Sequence, residues 1–404
     1  MSFVLASLLL LSVVVAAIAG RRRWLLLRQK PISRSHARND SKLVPPAQGE
    51  TKGGSTTSEL AVKIEPLPDF DWRTTPPMKL RPFKPTYNIT MAIQNSAPSD
   101  LIIMDANYLS RVTARRQLIA EHTSAVHGVT PAGHASVREL YAYLLGNYLP
   151  ARYPTMFELL PNPQTNTVLF HNKATGLTSP LSPPPSDPLE MLRILGETVE
   201  DDMFLLLRDA HGEREHRSVA FVCCHPSGFE PAAKLGKRLV EIHGPVPAYE
   251  KIGASMERYF GRLEVGRGVK RVNWSVQTHS QLYVPSGNHV HVGDVVEEAK
   301  TVDFETTRLR VELQTLTRLP ETQAILFSFK TYLYPLKDIK EEGLGVDLAD
   351  AIQGLKAGNA PGMWVYKGGV RWGRAVCEYL RGERKDDEAR LPASNFFHPK
   401  TRGN

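Results

Sequence analysis

Cysteine is scarce, three residues in 404, and two of the three are neighbours, Cys223 and Cys224, inside the apolar run VAFVCC, with Cys377 far away. No C-x-x-C spacing occurs, which excludes a thiolate metal site and a disulfide framework and suits buried thiols in a reducing compartment. No G-x-S-x-G occurs either, so the strand-turn-helix elbow of a serine hydrolase is missing. Acid is absent from residues 21 to 38, which hold seven Arg or Lys. Subtracting those seven from the net charge of +8 leaves about +1 for the rest of the chain. The sequence pI near 9.3 is therefore a local effect. Basic and aromatic residues do not interleave elsewhere in a patch, so nucleic-acid binding is not expected. No internal repeat is visible.

What is present is a globular composition, 42% hydrophobic. SFVLASLLLLSVVVAAIAG, residues 2 to 20, is an uncharged run of the length that crosses a bilayer, followed at once by Arg21, Arg22 and Arg23. The charge bias predicts a single-pass anchor, residues 1–20, with the remaining chain on the cytosolic side, for instance of the endoplasmic reticulum. A cleaved signal peptide is the alternative, since Ala17 to Gly20 has the small-residue form of a cleavage site. Residues 21–67 are then a basic flank and flexible tether, 68–382 a folded body and 383–404 a polar tail.

Within the body, LIIMDANYLSRVTARRQLIAEH has an Asp105 start signal and helical spacing. ASVRELYAYLLGNYLPARYP follows, with Ser136 and Glu139 at capping-box spacing. The Pro, Ser and Asn-rich stretch between Pro161 and Pro188 predicts a long loop, and DPLEMLRILGE a short helix after it. SVAFVCC, VKRVNWSVQ, TRLRVELQTLTRL and AILFSFKTYLYPL are β-rich, the last two joined by ETQ as an antiparallel hairpin. The expected fold class is α+β, an antiparallel sheet with flanking helices.

Two segments carry candidate chemistry. In RLRVELQTL the apolar Leu309, Val311 and Leu313 alternate with Arg308, Arg310, Glu312 and Gln314. The polar face meets either solvent or a cavity with an anionic ligand, to which Arg318 and Arg271 would add guanidinium groups. In KLGKRLVEIHGPVP, Leu235, Leu239 and His243 are spaced by four, which predicts one helical face with a histidine on its last turn before a Gly-Pro-Val-Pro stop. Such a histidine is either a satisfied core residue or a metal ligand.

VEDD at 199 to 202, KLGKRLVEIHGPVP at 234 to 247, KRVNW at 270 to 274 and RVELQTLTRLPETQAILFSFKTYL at 310 to 333 occur in an order that resembles the haem-dependent oxidative N-demethylase α-subunit family. The resemblance covers about residues 80 to 382. It implies a PAS-like antiparallel sheet enclosing haem b, O₂ as co-substrate, an electron-donor reductase and oxidation of an amine methyl group. It carries the axial-ligand role to His243 and cofactor or substrate contacts to Arg271, Asn273, Arg310 and Arg318, with Glu312 and Gln314 as catalytic candidates. Where the family has Glu-Arg-Gln-Thr-Leu, this chain has Glu312-Leu313-Gln314-Thr315-Leu316, so one arginine is lost on the face opposite the glutamate. No cysteine stands in a haem-thiolate context. Two other classes remain open: a non-haem metal site using His289 and His291 with Asp294, His279 or Glu297, and a non-catalytic, membrane-tethered haem or small-molecule sensor.

Overall fold

The computed structural model describes residues 62–208, 215–291, 293–298 and 301–384, all within one compact unit, Thr57–Asn404. The expected anchor over residues 1–20, the tether up to residue 61 and the tail from 385 lie outside the described residues. Among the described residues no helix is long and apolar enough to cross a membrane. Order begins ahead of Pro68: the amide of Glu65 donates to Ser99 Oγ and that of Leu67 to the Arg152 carbonyl.

The chain runs through β1 (Gln94–Ser96), α1 (Tyr108–His122), β2 (His127–Val129) and α2 (His134–Tyr143), which continues as a π-helical turn (Leu144–Tyr148) and one further turn, α3 (Leu149–Arg152). Then come β3 (Phe157–Asn162), β4 (Thr167–Asn172), β5 (Leu177–Ser182), α4 (Pro188–Thr198), β6 (Asp202–Arg208) and β7 (His216–Val222). A one-turn α5 (Leu239–Ile242) and α6 (Gly253–Arg262) precede the long strands β8 (Gly268–Gln277), β9 (Arg308–Arg318) and β10 (Ile325–Pro335). The helices α7 (Leu336–Glu341), α8 (Gly345–Gln353), α9 (Met363–Tyr366) and α10 (Gly369–Arg381) close the fold.

Seven strands form one antiparallel sheet in the order β1-β8-β9-β10-β6-β7-β2. The α+β class, the large antiparallel sheet and its flanking helices are those expected. Two expectations fail. Residues 157–182 are a three-stranded antiparallel sheet rather than a loop. Its strands are largely solvent-exposed, so their sequence carries no apolar alternation, and Phe157 and Phe170, stacked 5.4 Å apart, anchor it to the core together with Leu181 and the buried Asn172–Tyr108 hydrogen bond. The Ser136–Glu139 capping box is also absent. The helix begins at His134, and the Glu139 carboxylate accepts instead from the amides of Glu321 and Thr322, holding the β9–β10 turn.

Alternation along the central strands decides the layering, because successive side chains point to opposite faces. One face carries Leu309, Val311 and Leu313 of β9, Leu326 of β10 and Met203 and Leu205 of β6 against α1, α2, α4 and the C-terminal helices. The other face carries Arg310, Glu312, Gln314 and Leu316 with their cross-strand partners Ser275, Asn273, Arg271 and Val269. Strand β9 is thus buried on both faces, and its polar face is not a solvent face.

VEDD sits where the two halves join. Arg115 of α1 is fully buried and donates to the carbonyls of Gly196, Glu200 and Asp201 and, at 2.6 Å, to Asp202 Oδ1. Asp202 also accepts from the amides of Cys224 and His225. Glu200 and Asp105 both pair with buried Lys330, at 2.8 and 2.7 Å. Asp201 is left with one weak donor, Ser328 Oγ at 3.4 Å, and an unpartnered Oδ2. Burial pushes its carboxyl up to about 7, Lys330 opposing and Glu200 adding to the shift. An acid whose folded pKa is raised holds its proton longer in the folded than in the unfolded chain, so its contribution falls as pH rises from about 4 through about 7. Asp201→Asn is therefore expected to raise the melting temperature by several degrees at pH 8, for about 2 kcal/mol, and to leave it unchanged near pH 4. Thermal unfolding at the two pH values checks this.

Candidate functional site

The polar face of β8 and β9 forms the floor of a cavity of about 310 Å³, within the size range of small-molecule and cofactor sites. Phe204, Phe327 and Phe329 extend the floor, segment 227–263 supplies one wall, and Met363, Tyr366 and Lys367 supply another.

His243 enters from the wall, by a local structure different from the one expected. Ala232–Lys234 is a 3₁₀ turn, Leu235 is extended, and Gly236 adopts φ +77°, so the helix over 234–243 shrinks to one turn, Leu239–Ile242. Leu235 instead packs against the cluster of Phe204, Phe221, Cys223 and Phe329. His243 caps that turn. Its Nδ1 lies 2.8 Å from the Leu239 carbonyl, and because a carbonyl only accepts, Nδ1 carries the proton and Nε2 keeps its lone pair. The Gly-Pro-Val-Pro segment then folds back, Val246 donating to the His243 carbonyl, and brings Tyr249 onto the imidazole face at 4.8 Å and 6°. Burial, with Lys234 and Arg271 nearby, pushes the ring down to about 4 against the Leu239 bond. The imidazole is thus neutral near pH 7 and fixed in orientation, and its Nε2 has no hydrogen-bond partner among the described residues, which is how a metal-ligating histidine is held.

The floor gathers the other expected residues except one. Arg310, 1% exposed, pairs with Glu312 at 3.6 Å and donates to the carbonyls of His225 and Leu282. Its two terminal nitrogens are engaged by protein groups, while its buried Nε faces Glu312 without a hydrogen bond. Glu312 Oε2 accepts from Gln314 Nε2 at 3.0 Å and Asn273 Nδ2 at 3.4 Å. Arg271 lies two residues before Asn273 on the same face, and its buried Nε has no partner. Arg318 is elsewhere. It does not line the cavity, and its guanidinium donates to the carbonyls of Phe260, Leu263 and Gln323. Its position on β9 matches Arg310 in parity, but the strand has by then run past the cavity to Pro320.

Sequence reasoning missed Lys234 and Lys367. Lys234 stands over the Phe229 ring at 4.6 Å, with the Ile242 carbonyl 3.5 Å away. Lys367, 4% exposed, donates to Asn273 Oδ1 at 3.1 Å and to the Trp274 carbonyl, between the rings of Tyr87 and Trp274. Neither belongs to a local pattern: Lys234 lies in a single 3₁₀ turn, and Lys367 follows a single helical turn. With Arg310 paired to Glu312, three cations lining the cavity, Lys234, Arg271 and Lys367, have no carboxylate within 4 Å among the described residues. Burial lowers the pKa of all three. Desolvated, unneutralised cations are costly, and a cavity that collects them is built for an anion.

His289 also lines the cavity. Its ring stacks on Tyr366 at 4.3 Å, and burial pushes it down to about 3. Gly228, at φ +71°, lets the backbone lie against it, since a Cβ there would stand 2.9 Å from His289 Nδ1. The expected His289–His291 metal set does not assemble. The two rings are 6.4 Å apart and perpendicular, Asp294 Oδ2 accepts from the His291 amide, and His279 is bonded to Asn288 and Gln277. Among the described residues no three His, Cys, Asp or Glu side chains converge on a metal position.

Fold and site together define an α+β protein with a cation-lined cavity on one face of its antiparallel sheet and a buried imidazole in its wall. The family described as haem-dependent oxidative N-demethylase, alpha subunit-like, matches residues 92–377, which span both sheets and the whole cavity floor, and the chain belongs to that family. The family name is that of a haem-dependent oxidoreductase.

Proposed function

We propose that the cavity takes haem b, with His243 Nε2 as its iron ligand and Lys234 and Arg271 as partners of its two propionates. The donor set suits this group. An imidazole with Nδ1 on a carbonyl is a ligand of the kind that holds haem iron, and the two cations near it have no carboxylate within 4 Å among the described residues. When bound, haem supplies O₂ activation and oxidation of a C–H bond beside nitrogen. The chain's own part is to bind and orient. Glu312 is held by Asn273 and Gln314 through Oε2, with Arg310 Nε 3.6 Å from Oε1, which keeps a carboxylate on the cavity floor to seat an amine or hand over a proton. The phenylalanines of β6 and β10 exclude water from that floor.

The observation that carries the reading is the His243 tautomer set by Leu239. Titration of the purified full chain with haemin is expected to give a Soret band saturating at one equivalent. Stoichiometric iron, zinc or manganese bound without porphyrin, and no Soret band, would favour a non-haem site instead. A separate electron-donor reductase and a single-pass anchor that leaves the body in the cytosol, at the endoplasmic reticulum, belong to the same proposal. They rest on the reaction's need for electrons and on the apolar run followed by three arginines.

A further inference from the structure

Haem b carries two propionates, whereas the cavity holds three cations without an anion. The third is identified by position. Lys234 lies beside the turn that carries His243, and Arg271 is close enough to His243 to depress it. Lys367 lies instead at the Glu312 end, bonded to Asn273, whose amide nitrogen in turn donates to Glu312. It is the most deeply buried of the three, and two aromatic rings flank it. Of its three protons, two are used, one on Asn273 Oδ1 and one on the Trp274 carbonyl. Lys367 and Glu312 are thus a cation and an anion on either side of one asparagine, not in contact with each other.

We propose that the substrate is an N-methylamine that also carries one carboxylate, with its ammonium against Glu312 and its carboxylate against Lys367. The assignment rests on the haem reading above. Charge favours it over a simple methylamine. With ferrous haem bound, whose iron–porphyrin core is neutral, Lys234, Arg271, Arg310 and Lys367 oppose Glu312 and two propionates, a net +1. A methylammonium ion raises this to +2 and leaves Lys367 without an anion, whereas an N-methyl amino acid leaves the total at +1 and neutralises Lys367 where it stands. Burial pushes the Lys367 ammonium down to about 8, with Glu312 opposing and Arg271 adding to the shift. The other titratable groups that line the cavity about it are Tyr87, Tyr366, His289 and His291. Affinity for the carboxylate is accordingly expected to weaken above about pH 8, as this ammonium loses its proton.

The test is calorimetric titration of the haem-loaded full chain with N-methylglycine and, separately, dimethylamine. N-methylglycine is expected to bind at least tenfold more tightly. Lys367→Met is expected to remove that preference while haem content, read from the Soret band, stays at one equivalent, and Lys367→Arg to restore part of it. Should the methionine variant fail to fold, Lys367→Gln, which keeps a donor for Asn273, takes its place, and the two-ligand comparison on the unaltered chain decides by itself. Equal or tighter binding of dimethylamine, or a preference that survives loss of the Lys367 charge, overturns the assignment while leaving the haem reading intact. A chain that takes up no haem overturns the haem reading first, and this one with it.

Discussion

His243→Ala is expected to lower haem affinity on the order of 100-fold or more, to abolish the spectrum of an imidazole-ligated haem, and to regain that spectrum on addition of free imidazole. The size of the effect follows from what the ring does. Leu239 fixes its tautomer, Tyr249 its plane, and burial its neutrality, so no entropy or proton is left to be lost when the ligand bond forms. His289 lines the same cavity and is likewise stacked and held neutral by burial, but its ring has no hydrogen bond among the described residues, so nothing fixes its tautomer. His289→Ala is thus the control. If it removes the spectrum and His243→Ala does not, the ligand has been assigned to the wrong imidazole.

The largest effect on stability is expected at Arg115. Its guanidinium makes four hydrogen bonds, all inside the protein, and replacing it with Met leaves the Asp202 carboxylate buried with the Cys224 and His225 amides and the Cys223 thiol as partners but no cation. Breaking a buried pair on one side costs about 3–5 kcal/mol. Arg115→Met should therefore unfold at a melting temperature about ten degrees lower or more. Adding Asp202→Asn should recover part of the loss, because the stranded charge is gone, and chemical denaturation of the two single variants and the double variant measures the coupling. The same pair bears on the site. Asp202 holds the His225 amide, and the His225 carbonyl holds Arg310, so cavity order depends on a residue of α1 that does not touch the cavity.

Much of the sheet was legible because alternation survives burial. Leu309, Val311 and Leu313 fall opposite Arg310, Glu312 and Gln314 in the structure as they do in the sequence, and ETQ closes the β9–β10 hairpin. What lies beyond the polar face was not legible. A polar stripe is written the same way whether it meets water or a cavity, and only the return of segment 227–263 over the floor separates the two. The helix expected over 234–243 had the right spacing, but spacing says nothing about Gly236, whose left-handed backbone ends the 3₁₀ turn and sends Leu235 to another cluster. The small sheet at 157–182 escaped for the opposite reason. Its faces are mostly wet, so turn residues dominate its composition. Lys234 and Lys367 carried no signal because a lone lysine in a sequence does not say how deep it lies.

The central claim is that one imidazole and a set of unneutralised cations converge on a single cofactor cavity. Crystals of the haem-loaded chain, measured at the iron absorption edge, test it most directly. The account predicts one anomalous peak within coordination distance of His243 Nε2, about 2.0–2.1 Å as for a metal–imidazole bond, with the porphyrin carboxylates on Lys234 and Arg271. Iron bound through another side chain, or a porphyrin lying outside the cavity floored by β8 and β9, would contradict it.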